Sequence, residues 1–179
     1  MLFDTHAHMD SRSFNEDRCE VLHNLPSQGI ELLMNPGCSL ESSKKAVQLA
    51  SEYDYIYAAV GSHPDAADEV NEEVLEEYRK LCKQNPKIRA IGEIGLDYHY
   101  EDIPRDLQQK AFRAQMALAA ELDMPVIVHE RDAHADGMEI VRTKMPMVPK
   151  SSMTTISFSL AAVCWFISKS PFIFFAASV

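Results

Sequence analysis

The chain has 179 residues, 46% of them hydrophobic, and 17 basic against 27 acidic side chains, a formal charge of −10. That is enough for one domain with a sizeable core, yet short of the roughly 250 residues of a closed (β/α)8 barrel. The acidity excludes a broad basic face for nucleic acid.

Cys19, Cys38, Cys82 and Cys164 are far apart and lack zinc-ribbon spacing, which reads as free thiols in a reducing compartment. The N-terminus runs almost directly into a strand with no basic stretch and apolar run before it, so the expectation is cytoplasmic residence, with the nucleus open.

Leu2 and Phe3 lead as a short strand into Asp4-Thr5-His6-Ala7-His8. Glu16 to Leu25 reads as helix with Gly29 as its stop, and Ile30 to Met34 as a second strand closed by Asn35-Pro36-Gly37. Leu40 to Ala50 has a helical stripe of Leu40, Ala46, Val47 and Ala50, followed by a third strand over Tyr55 to Val60. Val70, Val74, Leu75, Tyr78 and Leu81 fall at helical spacing, and after Pro86 a fourth strand covers Ile88 to Ile91. Pro104 suits the first turn of the longest helix, whose buried face is Phe112, Met116, Ala119 and Leu122. Val126 to Val128 is a fifth, all β-branched strand, and His134 to Arg142 a further helix.

Strands alternating with helices imply βαβ units and a parallel sheet. Five units are visible, so the fold is read as α/β of the (β/α)8 TIM-barrel type with about five units present; a five-stranded doubly wound sheet is the competitor. From Ser151 the rhythm gives way to Ser, Thr and bulky apolar residues. The chain therefore divides into a partial barrel domain over 1–145 and an apolar tail over 151–179. Three readings of the tail stand open: membrane contact through 156–179, a buried strand pair, or sequence foreign to the fold such as a frameshifted or alternatively spliced end. The abrupt end of the rhythm at Lys150 favours the last.

The strand ends carry the chemistry: His6 and His8, Asn35, His63, Glu93 and His129. In a barrel the C-terminal strand ends converge on one face, whereas a doubly wound sheet spreads them along an edge. His6 and His8 are two apart, so on an extended segment both rings point to one side and can share an ion. Glu93 has two oxygens with which to bridge two ions, and His129 can serve the second. Imidazole with carboxylate suits zinc, with manganese and magnesium also open. Asp4 either positions a ligand or caps a turn. His63 is either an orienting group or loop structure, and Arg131 either meets a phosphate or pairs with Asp132.

Asp4-Thr5-His6-Ala7-His8-Met9-Asp10, Gly61-Ser62-His63-Pro64, Ala90-Ile91-Gly92-Glu93-Ile94-Gly95-Leu96-Asp97-Tyr98 and Pro125-Val126-Ile127-Val128-His129-Glu130-Arg131-Asp132-Ala133 together resemble the TatD-like metal-dependent hydrolases, amidohydrolase-type TIM barrels that include deoxyribonucleases. The resemblance implies His6 and His8 on one metal, Glu93 shared between metals and His129 on the second; Glu93 is taken as the catalytic carboxylate, and His63 and Arg131 are the substrate-binding candidates. It also implies two divalent ions and DNA as substrate, cut from the 3′ end, with no stable protein partner. The family's later sixth-strand histidine and eighth-strand aspartate have no counterpart, since no histidine follows His134 and no Asp or Glu follows Glu139. The expectation is therefore an impaired catalyst. An amide or ester hydrolase of the same superfamily and a catalytically inactive metal- or partner-binding form are the alternatives.

Overall fold

The computed structural model describes residues 2–144 and 173–176. Strands β1 (Leu2–Asp4), β2 (Ile30–Pro36), β3 (Ile56–Val60), β4 (Ile88–Asp97), β5 (Val126–Arg131) and β6 (Ile173–Ala176) form one sheet in the order β1-β2-β3-β4-β5-β6. Every neighbouring pair is parallel. Helices α1 (Arg18–Asn24), α2 (Leu40–Glu52), α3 (Glu72–Gln84), α4 (Arg105–Leu122) and α5 (His134–Lys144) make the crossovers between the first five strands and follow β5. The strand order never reverses. A doubly wound sheet reverses at its switch point, and a barrel wall does not, so the sheet is the curled half of a (β/α) barrel.

Alternation along the strands separates two apolar layers. Leu33, Ala58, Val60, Ile94, Leu96, Val126 and Val128 face the helices and join Phe112, Met116 and Ile140 in the main core. Met34, Ala59, Ala90 and Ile127 form a second, smaller cluster. Ala59 and Ala90 leave room there for Met34 and Ile127 on the inside of the curled wall.

The helices start where capping dictates. Asn71 caps α3 by accepting from Val74 N–H at 3.0 Å, with Glu72 and Glu73 against the positive helix end. That corrects the reading of Val70 as helical, since it closes the preceding 3-10 turn, Pro64–Glu69. The first helix is also shorter than periodicity suggests. Pro26 lacks an N–H to continue α1, so the chain tightens into a 3-10 turn over Leu25–Gln28 and ends on left-handed Gly29. Pro104 stands at the cap of α4, one residue before its first turn.

The last two full strands run longer than expected, β4 to Asp97 and β5 to Arg131, which puts Glu93 and His129 inside strands. In the tail, β6 pairs with β5 from Val126↔Ile173 to His129↔Ala176. The membrane reading otherwise concerns residues outside those described, and among the described residues no helix is long and apolar enough to cross a membrane. Cys19, Cys38 and Cys82 are free thiols.

Candidate metal centre

The segment after β1 is tied to β2 by Ala7 N–H donating to Met34 O at 3.0 Å. Asp4 acts as a local cap, its Oδ1 accepting from His6 N–H at 3.1 Å. The two rings then meet, His6 Nε2 lying 3.0 Å from His8 Nε2. His8 Nδ1 is 3.1 Å from Pro36 O, which can only accept, so the proton belongs on Nδ1 and the Nε2 lone pair faces the centre. Cys38 Sγ touches the same Nδ1 at 3.6 Å.

Glu93 reaches this pair from β4. Its Oε2 lies 3.2 Å from His6 Nε2 and 3.3 Å from His8 Nε2. The glycines around it explain how. The register against β5 shifts between Ile91 and Ile94, a bulge of one extra residue that re-aims the side chain. A Cβ on Gly92 would stand 2.7 Å from Ile127 Cβ, and one on Gly95 1.9 Å from His129 O. Only glycine lets β4 press this closely on β5.

That approach puts His129 on the other side of the same carboxylate. His129 Nδ1 is 3.2 Å from Glu93 Oε1, and its Nε2 is 3.0 Å from Asp97 Oδ2. His63 caps the 3-10 turn after β3 and stacks edge-on against His129, with ring centroids 4.2 Å apart. The potential ligand atoms gather as His6–His8–Glu93 and His63–Asp97–His129, within 4.8 Å in each group. Two imidazole nitrogens 3.0 Å apart with a shared carboxylate oxygen have the spacing of ligands around one ion; nitrogens about 2.0–2.1 Å from zinc sit at such separations. Without a cation, neutral rings would turn lone pairs toward one another and toward the carboxylate. The donor set fits a divalent metal.

Electrostatics follow the geometry. Burial opposes ionisation of Glu93, but His129, His6 and His8 outweigh it and hold the carboxyl well below its usual range. At His8 burial disfavours protonation, and contacts with Cys38 and Glu93 reverse this, raising the ring above the ordinary imidazole value. Burial pushes the Cys38 thiol up, so Glu93 is the charge that counts there. His129 is also raised, burial being overcome by Glu93 and Asp97. His63 is lowered by burial and by His129 beside it.

Several supports lie outside the strand-end pattern. Asn35 does not face the candidate metal ligands. It exchanges hydrogen bonds with Asp10 (Nδ2 to Oδ1 2.8 Å; Asp10 N–H to Oδ1 3.2 Å), and Ser42 Oγ donates to Asp10 Oδ2 at 2.6 Å. Arg18 closes the same loop, donating to Met9 O at 2.6 Å and Ser11 O at 2.7 Å. On α4, two buried glutamines grip strand ends. Gln108 accepts from Asp97 N–H at 2.9 Å and donates to Asp97 O at 2.8 Å. Gln115 accepts from Ser62 N–H at 2.7 Å and donates to Ser62 O at 3.0 Å. Sequence reasoning gave Asp97, Gln108 and Gln115 no role. The signals existed: Asp97 shares the strand parity of Glu93 allowing for alternation, and both glutamines fall on the helix face of Phe112 and Ala119. Arg131 ends β5 on the same side as His129; it forms no salt bridge among the described residues, though its charge helps hold Asp97 ionised, and its guanidinium carbon lies 5.1 Å from the Tyr100 ring centroid.

The profile of the TatD related DNase family matches residues 3–177. The chain belongs to that family. It is 40% identical over 142 residues to the uncharacterized metal-dependent hydrolase YabD of Bacillus subtilis, covering 79% of this chain and 55% of that protein. It is 34% identical over 146 residues to the 3′-5′ ssDNA/RNA exonuclease TatD of Erwinia tasmaniensis, covering 81% and 56%. Among solved structures, the TatD homolog YJJV of Escherichia coli superposes with a TM-score of 0.74 at 30% identity, over 80% of this chain and 56% of that one. A TatD family hydrolase of Entamoeba histolytica gives a TM-score of 0.74 at 24% identity, over 80% and 54%, a likeness of fold. The chain thus spans about half the length of the curated relatives it matches.

Proposed function

We propose that this chain carries the front part of a phosphodiesterase centre that hydrolyses single-stranded nucleic acid, DNA foremost, from its 3′ end with two divalent ions. The observation that carries the reading is Glu93, a buried carboxylate with imidazoles on both oxygens. An unpaired buried carboxylate is costly, and three convergent rings are more than a single structural partner requires. His6, His8 and Glu93 Oε2 would hold one ion, and Glu93 Oε1 with His129 Nδ1 the second. Magnesium, zinc or manganese bound there supplies charge to polarise the phosphodiester and to ease deprotonation of water near neutral pH.

The residues do the rest. Glu93, held ionised on β4 between β3 and β5, would keep its charge and both oxygens for the ions and so position them at the reacting centre. His63, kept from protonating by burial and by His129, offers a neutral ring beside it. Arg131, which forms no salt bridge among the described residues and acts on Asp97 only through its charge, is available to a phosphate oxygen. The name of the Erwinia relative supports nucleic acid over an amide substrate. Glu93 itself stands where many amide hydrolases of the superfamily use a bridging lysine.

The test is cleavage of a 5′-labelled single-stranded oligonucleotide by the purified chain with magnesium, manganese or zinc. A ladder shortening from the 3′ end, abolished by chelator and by Glu93→Gln, is expected. Cleavage that survives Glu93→Gln, or hydrolysis confined to amide and carboxylic ester substrates, would overturn the reading.

A further inference from the structure

Beyond Asp97 the chain leaves β4 through Tyr98-His99-Tyr100, and its two tyrosines differ sharply. Tyr98 is committed: its hydroxyl donates to Asp136 Oδ2 at 2.7 Å, and Arg105 covers its ring at 4.4 Å. Tyr100 is 53% exposed, and with Leu2 and Phe3 it makes up the exposed large hydrophobic side chains among the described residues. No hydrogen bond of its hydroxyl to a described residue accounts for its position. What it does touch is Arg131, 5.1 Å from its centroid, and His99, edge-on with centroids 4.8 Å apart and planes at 90°.

This corner is anchored to the candidate centre. His99 N–H donates to Asp97 Oδ1 at 3.0 Å, and its ring Nδ1 lies 3.1 Å from Asp132 Oδ2. The other Asp97 oxygen holds His129. Arg131 follows His129 by two residues on β5, so both side chains leave the same face, about 6.6 Å apart along the strand. A guanidinium that forms no salt bridge among the described residues, its charge reaching Asp97 from a distance, and an exposed aromatic ring therefore stand together one pleat above the candidate metal ligands. That spacing is suited to the nucleotide next to the bond at Glu93.

We propose that Tyr100, braced by Arg131 and His99, is a stacking platform for a nucleobase of single-stranded nucleic acid. A chain with a net charge of −10 cannot gain affinity from a broad basic surface. Stacking supplies affinity that does not depend on charge and tolerates every base, since each has a π-face. Arg131 adds one anchor for the adjoining phosphate and can stack on the same aromatic assembly. The inference takes its substrate class from the phosphodiesterase reading, but it concerns binding and not cleavage.

The experiment is fluorescence anisotropy with the full chain and magnesium, using a labelled phosphorothioate oligothymidylate that resists hydrolysis, and its counterpart carrying abasic residues. The wild type is expected to favour the based strand by about tenfold, the size that alanine replacement of a stacking aromatic produces. Tyr100→Ala should lose that preference, and Tyr100→Trp should keep it; circular dichroism melting confirms that both variants fold. Equal affinity of the wild type for the two strands, or an undiminished preference in Tyr100→Ala, would overturn the platform. Cleavage is scored separately with an ordinary oligonucleotide. Base preference without cleavage sinks the nuclease reading alone, and cleavage without base preference sinks the platform alone.

Discussion

His129 stands between two carboxylates, with Nδ1 at 3.2 Å from Glu93 and Nε2 at 3.0 Å from Asp97. With a metal bound, Asp97 would accept the Nε2 proton and so leave Nδ1 as the lone-pair nitrogen on the Glu93 side. This is the carboxylate–histidine arrangement that orients metal ligands, and removing such a partner commonly lowers metal affinity by about 10–100-fold. Asp97→Ala should therefore weaken zinc binding by that factor, measured by competition with a chelating dye. Long-range proton–nitrogen NMR should show the His129 tautomer shifting at the same time. An unchanged tautomer would mean that Asp97 only packs there.

Gly95 is a second sensitive point. With His129 O 1.9 Å from where its Cβ would be, Gly95→Ala must push β4 off β5. The cost expected is about 3 kcal/mol, at the upper end for overpacking, read from urea denaturation midpoints. Metal affinity should fall with it, because the same displacement separates Glu93 from His129. Ile140→Val, in the main core away from the centre, serves as the control: it should destabilise by about 1 kcal/mol and leave metal affinity alone.

The α4 glutamines make a sharper claim about buried polarity. Gln115→Leu leaves the N–H and C=O of Ser62 without their partner, and Gln108→Leu does the same for Asp97. Each buried group left unsatisfied costs about 1–3 kcal/mol, so a loss of about 2–4 kcal/mol is expected for either change. Denaturation of the two single variants checks it; a loss under about 1 kcal/mol would show that water replaces the clamp.

Proton linkage gives a pH prediction. Burial opposes charging of both rings, but Cys38 and Glu93 hold His8, and Glu93 and Asp97 hold His129, above the ordinary imidazole value. They therefore keep protons into a range where free imidazole is neutral. Metal ligation needs the neutral ring, so binding must expel those protons. Apparent zinc affinity should rise as pH increases through neutrality, by about one decade per pH unit for each proton displaced. Calorimetry in two buffers of different ionisation heat should report net proton release on binding. Heats that do not depend on the buffer would contradict the assignment.

Much of the architecture was legible along the chain. The alternation of short β-branched runs with amphipathic stretches marks βαβ units because burial imposes those periods locally. Convergence of strand ends argued for a curled sheet, and the unreversed order from β1 to β6 agrees. Less legible was the extent of β4. Gly92 and Gly95 look like strand breakers, yet in the fold they are what permits the strand to continue against β5. Asn35 illustrates a different limit: as a strand-end polar residue it resembles a ligand, but Asp10 and the loop closed by Arg18 take up its amide.

The amino-acid order by itself determined the kinds of chemistry on offer: imidazoles two apart after the first strand, a carboxylate between glycines, and a histidine closing a β-branched run. Those are local facts of spacing and side-chain type. Which atoms face one another was decided only in three dimensions. That Glu93 divides its oxygens between His8 and His129, that Asp97 takes the far nitrogen of His129, and that two glutamines hold the strand ends all depend on distances between segments remote in sequence. Such distances are set by how closely the strands pack, and no periodicity along the chain records them.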